Sequence, residues 1–214
     1  MATIFSITSS KSMRKKIFSF SLLLALASVT PLPTKAAIEQ TGDINSLIET
    51  VIDGASKTMG KAAGAGPVKW DWCDGTYYNS RSKLICLEPE FIQQLSQIGE
   101  SAVSFVVAHE YAHHVQFAKS KLIAKAKGNT MRMELQADCF AGVILASAKN
   151  ISFDESDIKD MIIAASLLGD QEYDSQQHHG PGENRALALR SGLRFGASKG
   201  KNKDAYYNMF CRQN

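Results

Sequence analysis

Apolar positions along the chain recur mostly at helical intervals. In INSLIETVIDGASKTM (44–59), Ile44, Leu47, Ile48, Val51 and Ile52 share one face of a 3.6-residue period, with Asp43 as the N-cap. GKAAGAG (60–66) breaks that helix. Residues 68–87 instead gather Val, Trp, Tyr and Ile around the polar turn NSRSK, which predicts a hairpin. Pro89 opens a short helix to about Ile98. A longer helix runs from about Ser101 to Lys119 and begins with SAVSFVVA, a run without charge. The lysine-rich segment 119–130 ends at Gly128-Asn129 and reads as a loop with a solvated face. MRMELQADCFAGVILASA (131–148) and ESDIKDMIIAASLL (155–168) predict two more helices, the second capped by Asp154 and ended by Gly169. GDQEYDSQQHHGPG (169–182) is a long polar loop, 183–195 is a helix, and a last turn is expected near Cys211. The pattern contains no internal repeat. It predicts one α+β domain over 37–214, predominantly helical, with a small antiparallel sheet or hairpin.

The first 36 residues stand apart. They carry Lys11, Arg14, Lys15, Lys16 and Lys35 but no Asp or Glu, and IFSFSLLLALASV follows Lys16. A positive flank before a short apolar core is the pattern of a secretory signal peptide, with cleavage after Ala27 or Ala36 and a start at Met1 or Met13. The run is too short to span a bilayer comfortably. Export to the periplasm or the medium is therefore expected, with no membrane anchor left after cleavage. The whole chain has 24 Lys+Arg against 21 Asp+Glu, a net +3. Without the five basic residues of this segment the balance is 19 to 21, so the basicity belongs to the targeting segment and gives no reason to expect a nucleic-acid partner. Cys73, Cys86, Cys139 and Cys211 all follow the segment, an even number that suits two disulfides in an exported chain. Three connectivities are open. Cys73–Cys86, bracketing the hairpin, with Cys139–Cys211 is the favoured one, and four buried thiols are the alternative.

AHEYAHHVQ (108–116) places three of the five histidines behind the uncharged run. His109, Glu110 and His113 form H-E-x-x-H. On a helix the two histidines lie four residues apart on one face, where both imidazoles reach one zinc ion, and Glu110 addresses a water on it. A dication also resolves the burial problem, since unpaired charge is costly in an apolar setting. A catalytic zinc needs a third protein ligand. Gln116 and Lys119 stand where a metzincin would have Gly and His. ELQAD (134–138) offers Glu134 as the third ligand, and Asp138, on the same helix face, as the acceptor that fixes a ligand histidine's tautomer. Ala137, Ala141 and Gly142 are small enough to let this helix approach the H-E-x-x-H helix closely.

HEYAHHVQ (109–116), ELQADCFAGV (134–143) and GDQ…HGPGENR (169–185) resemble the bacterial family of putative neutral zinc metallopeptidases over about residues 105–196. Ala112 stands where that family usually has Gly, and GPGE after His179 replaces a small-polar stretch. The resemblance implies a zincin-like peptidase domain with one zinc held by His109, His113 and Glu134, acting on a peptide or protein substrate. By analogy with related zinc peptidases, it also implies His179 as donor to the developing oxyanion and Arg185 as a residue that braces the site or binds substrate. Tyr111 and Tyr173 are alternative donors. His114 points away from His113 and is expected to pack rather than bind metal. The expected mechanism has Glu110 as general base toward a zinc-activated water. Two other classes share these features: a zinc hydrolase of another exported or cell-wall amide, and a catalytically silent binding or assembly factor.

Overall fold

The computed structural model describes residues 42–119, 130–171, 179–198 and 211. The expected targeting segment, most of the lysine-rich loop, Tyr173 and His178 lie outside the described residues. Helix α1 (Gly42–Ala55) starts one residue before Asp43 and buries Ile48 and Val51. It does not stop at Gly60. The chain continues through a wide π-helical turn (Ser56–Gly60) and one more α-turn (Lys61–Ala63) before Gly64, at φ 65°, ends it. Lys and Ala are good helix formers, so one glycine does not terminate the run, whereas a left-handed glycine past the last turn does. The buried Tyr111 side chain presses its hydroxyl against this turn, where a Cβ on Gly60 would collide with it.

The strand region is richer than a hairpin. Strands β1 (Lys69–Trp72), β2 (Tyr77–Asn79) and β3 (Leu84–Leu87) form a sheet in the order β1-β3-β2. β2 and β3 are the expected antiparallel pair, and Asn79 Oδ1 organises their turn by accepting from the amides of Arg81 and Ser82. β1 pairs parallel to β3, with Trp70 beside Ile85. The sheet is therefore mixed, not antiparallel. A parallel pair needs a crossover, and here β2 itself is the connection. The Cys73–Cys86 disulfide staples the end of β1 to β3, and Cys139–Cys211 ties the tail to a later helix, the favoured connectivity in both cases.

Helix α2 (Pro89–Ser96) has proline in its first turn. Helix α3 (Glu100–Ala118) is the central element: every residue from Ser101 to Ala112 is buried. A helix apolar around its whole circumference belongs inside, and α1, α2, α4 and α5 pack around it. Helix α4 (Thr130–Ser147) is also largely buried. Helix α5 (Glu155–Leu167) opens on a capping box: Asp154 Oδ1 accepts from the Asp157 amide at 3.0 Å, and Asp157 Oδ2 accepts from the Asp154 amide at 2.9 Å. Helix α6 (Gly182–Ala197) completes the described fold. No helix among the described residues is long and apolar enough to cross a membrane.

Gly142 serves a different neighbour from the one its small size suggested. It abuts α6, not α3. A Cβ on Gly142 would lie 2.5 Å from the Leu189 carbonyl oxygen, and one on Gly192 would overlap the Cys139 carbonyl oxygen. Backbone meets backbone at this crossing, so neither side can yield. Gly192→Ala is expected to destabilise the fold by about 1–3 kcal/mol through overpacking. Thermal denaturation reads the effect, and an unchanged or raised melting temperature would contradict it.

Candidate metal centre

The buried face of α3 carries His109, Glu110 and His113, and α4 brings Glu134 against them. His109 Nε2 and His113 Nε2 lie 3.1 Å apart. Glu134 Oε2 is 3.2 Å from His109 Nε2, and Oε1 is 3.4 Å from His113 Nε2. One ligand atom from each of the three residues lies within 4.8 Å of the others, a cluster compact enough for one ion to reach all three.

Hydrogen bonds decide which ring nitrogen is free. His109 Nδ1–H donates to Asp138 Oδ1 at 2.8 Å, and His113 Nδ1–H donates to Gln116 Oε1 at 2.8 Å. Both Nε2 atoms then face each other as lone pairs. Two such acceptors at this distance, beside a carboxylate, repel unless a proton or a cation lies among them. Burial works against a charged His109, yet hydrogen bonds and charge from Asp138 and Glu134 outweigh it and raise its pKa to about 10. Surroundings that hold a proton there so firmly suit a dication in its place. Burial also opposes ionisation of Glu134, but His113, His109 and Arg185 hold its carboxyl well below the usual range. Its acceptor oxygens are thus anionic. These three residues fit a zinc ion by spacing, tautomer and charge.

Asp138 is fully buried and Arg185 almost so. Arg185 donates from Nε to Asp138 Oδ2 and from Nη2 to Oδ1, each at 2.8 Å, and from Nη1 to the Leu168 carbonyl at 3.0 Å. All three guanidinium nitrogens are engaged within the protein. This arrangement suits the bracing role expected of Arg185. Glu110 Oε2 is buried with no hydrogen-bond partner among the described residues, and burial raises the carboxyl pKa.

His109, Glu110, His113, Glu134, His179 and Arg185 all line one cleft of about 440 Å³. The rest of its wall is mainly aromatic and aliphatic, including Tyr77, Phe91, Phe117 and Leu168. His179 is half exposed, and Asp170 Oδ2 accepts both its backbone amide, at 2.8 Å, and its Nδ1–H, at 3.1 Å. Tyr111 is buried against the π-helical turn and does not line the cleft. His114 is not a ligand. Its Nε2–H donates to the Gly66 carbonyl, its Nδ1 accepts from Tyr78 Oη, each at 2.8 Å, and burial lowers its pKa.

Sequence reasoning missed Gln116 and Asp170. Gln116 left a signal, since a residue three positions after His113 shares its helix face. Asp170 left none: it lies nine residues before His179, across a loop without periodicity.

The sequence model of the family described as Putative neutral zinc metallopeptidase matches residues 71–184, more than half of the chain. The match begins well before residue 105, so the family likeness includes the sheet region around Cys73. Uncharacterized proteins of Mycobacterium bovis and Mycobacterium tuberculosis are 33% identical over 135 residues, covering 53% of this chain and 45% of theirs. Uncharacterized protein YpfJ of Escherichia coli K12 is 32% identical over 115 residues, covering 48% of this chain and 39% of its own. The chain spans less than half the length of these relatives. No solved structure matches it. By the extent of the family match, this chain belongs to the Putative neutral zinc metallopeptidase family.

Proposed function

We propose that the protein is an exported zinc-dependent peptidase that hydrolyses peptide bonds in its cleft. One observation carries the reading: a buried Glu110 oxygen with no hydrogen-bond partner among the described residues accompanies a compact cluster of ligand atoms from His109, His113 and Glu134. His109, His113 and Glu134 would hold the ion. When bound, zinc would supply the Lewis acidity that acidifies a water and polarises the scissile carbonyl. Glu110 takes the proton of the attacking water on its carboxylate and passes it to the leaving amine nitrogen. Burial supports that role by lifting its pKa toward the working range. His179, held through Nδ1 by Asp170 and doubly protonated in this role, donates from Nε2–H to the carbonyl oxygen as negative charge develops. The aromatic and aliphatic wall suits peptides with bulky uncharged side chains near the scissile bond. Export is supported by the charge asymmetry of the first 36 residues and by the two disulfides.

Metal analysis of the purified protein, with an assay on quenched fluorescent peptides, tests the reading. One zinc per chain is expected, with hydrolysis abolished by a chelator and restored by zinc. Hydrolysis that survives complete removal of metal would sink it.

A further inference from the structure

Gln116 is almost fully buried and belongs to no proposed chemical step. Its amide nitrogen donates to the Met133 carbonyl at 2.9 Å and lies 3.1 Å from Gln136 Oε1. A carbonyl can only accept, so this contact fixes which end of the amide is NH2. Oε1 therefore faces His113 and accepts its Nδ1–H. The same side chain reaches α4 on both sides of Glu134, at Met133 and at Gln136.

We propose that Gln116 is a positioning residue that couples two metal ligands through one amide. Its oxygen sets the His113 tautomer that leaves Nε2 free. Its nitrogen docks the turn of α4 that presents Glu134. Through this amide, the tautomer of a ligand on α3 and the placement of a ligand on α4 depend on each other. His109 has an acceptor of its own in Asp138, which Arg185 holds in turn. Linkage is reciprocal: if Gln116 docks the α4 turn to favour metal binding, metal binding must strengthen that docking.

The inference rests on the zinc reading of the site, and the experiment separates the two. Zinc affinity is measured by competition with a chromogenic chelator, on wild type and on Gln116→Met, which keeps length and volume but neither hydrogen-bonding end. A loss of about 10–100-fold in zinc affinity is expected, the usual effect of removing a partner that orients a ligand. The absorption bands of the cobalt-substituted variant should shift, since coordination itself is disturbed. Gln116→Glu keeps the acceptor for His113 but sets a carboxylate against the Met133 carbonyl. It should lose less affinity than Gln116→Met, but still lose some. Hydrogen exchange on wild type supplies a readout free of mutation: zinc should increase amide protection across 131–137. Wild type that binds no zinc sinks the site reading. Wild type that binds zinc, with unchanged affinity in Gln116→Met, overturns the role of Gln116 alone. If Gln116→Met does not fold, unchanged affinity in Gln116→Glu, or zinc-independent exchange across 131–137 in wild type, overturns it equally.

Discussion

Glu110→Gln should leave the protein folded and loaded with zinc but nearly inert, with hydrolysis down by about 10²–10⁴-fold. The substitution preserves shape and removes only the ability to take up a proton. Glu110 is not among the three clustered donor atoms, so metal content should stay at the wild-type level. The buried oxygen at this position has no partner among the described residues, and burial disfavours its charge. The neutral amide removes that burden, so the melting temperature should hold or rise, as when a strained functional group is relaxed. Metal analysis, calorimetry and the peptide assay on one preparation decide the matter. Undiminished hydrolysis would remove Glu110 from the mechanism.

The largest effect on stability is expected at Asp138→Ala. This change deprives the buried Arg185 guanidinium of its two-bond carboxylate partner, which costs about 3–5 kcal/mol. For a chain of this size that lowers the melting temperature by about 6–20 °C. It also strips His109 of the acceptor that fixes its tautomer, so zinc affinity should fall by about 10–100-fold. The double change Asp138→Leu with Arg185→Met separates the effects. Burying neither charge should restore most of the stability, while zinc affinity stays low. Recovery of both together would mean that the pair acts only as packing. Acid should mimic part of the single change. Burial opposes ionisation of Asp138, but Arg185 and His109 outweigh it and lower its pKa. Its contribution is therefore complete above the unfolded value of about 3.9 and is lost as pH falls through the folded one.

His109, Glu110, His113, Glu134 and Asp138 were legible because each pattern is local. Four residues on a helix return a side chain to the same face whatever the tertiary structure. The buried α3 was legible for a related reason, since an uncharged run long enough for a helix has few places to go. The parallel pairing of β1 with β3 was not, because strand character reveals alternation and turns but not which strand ends up central. Gly142 was read as small, correctly, but no sequence pattern says which helix comes close. Asp170 became visible only when the loop folded back to His179. The close approach of Tyr111 to Gly60 joins residues some fifty positions apart and leaves no local pattern.

The glycine crossing of α4 and α6 has a practical consequence. Gly142 is one turn along α4 from Asp138, about 6 Å at 1.5 Å per residue. Gly192 lies two turns along α6 from Arg185. The crossing is thus a fulcrum close to the ion pair that holds His109. Replacing helical glycines by alanine is a common route to a hardier enzyme, because it reduces the freedom of the unfolded chain. Applied here without regard to position, that strategy would pry the two helices apart close to the ion pair that orients His109. A thermostabilised variant should gain its alanines elsewhere and keep both glycines.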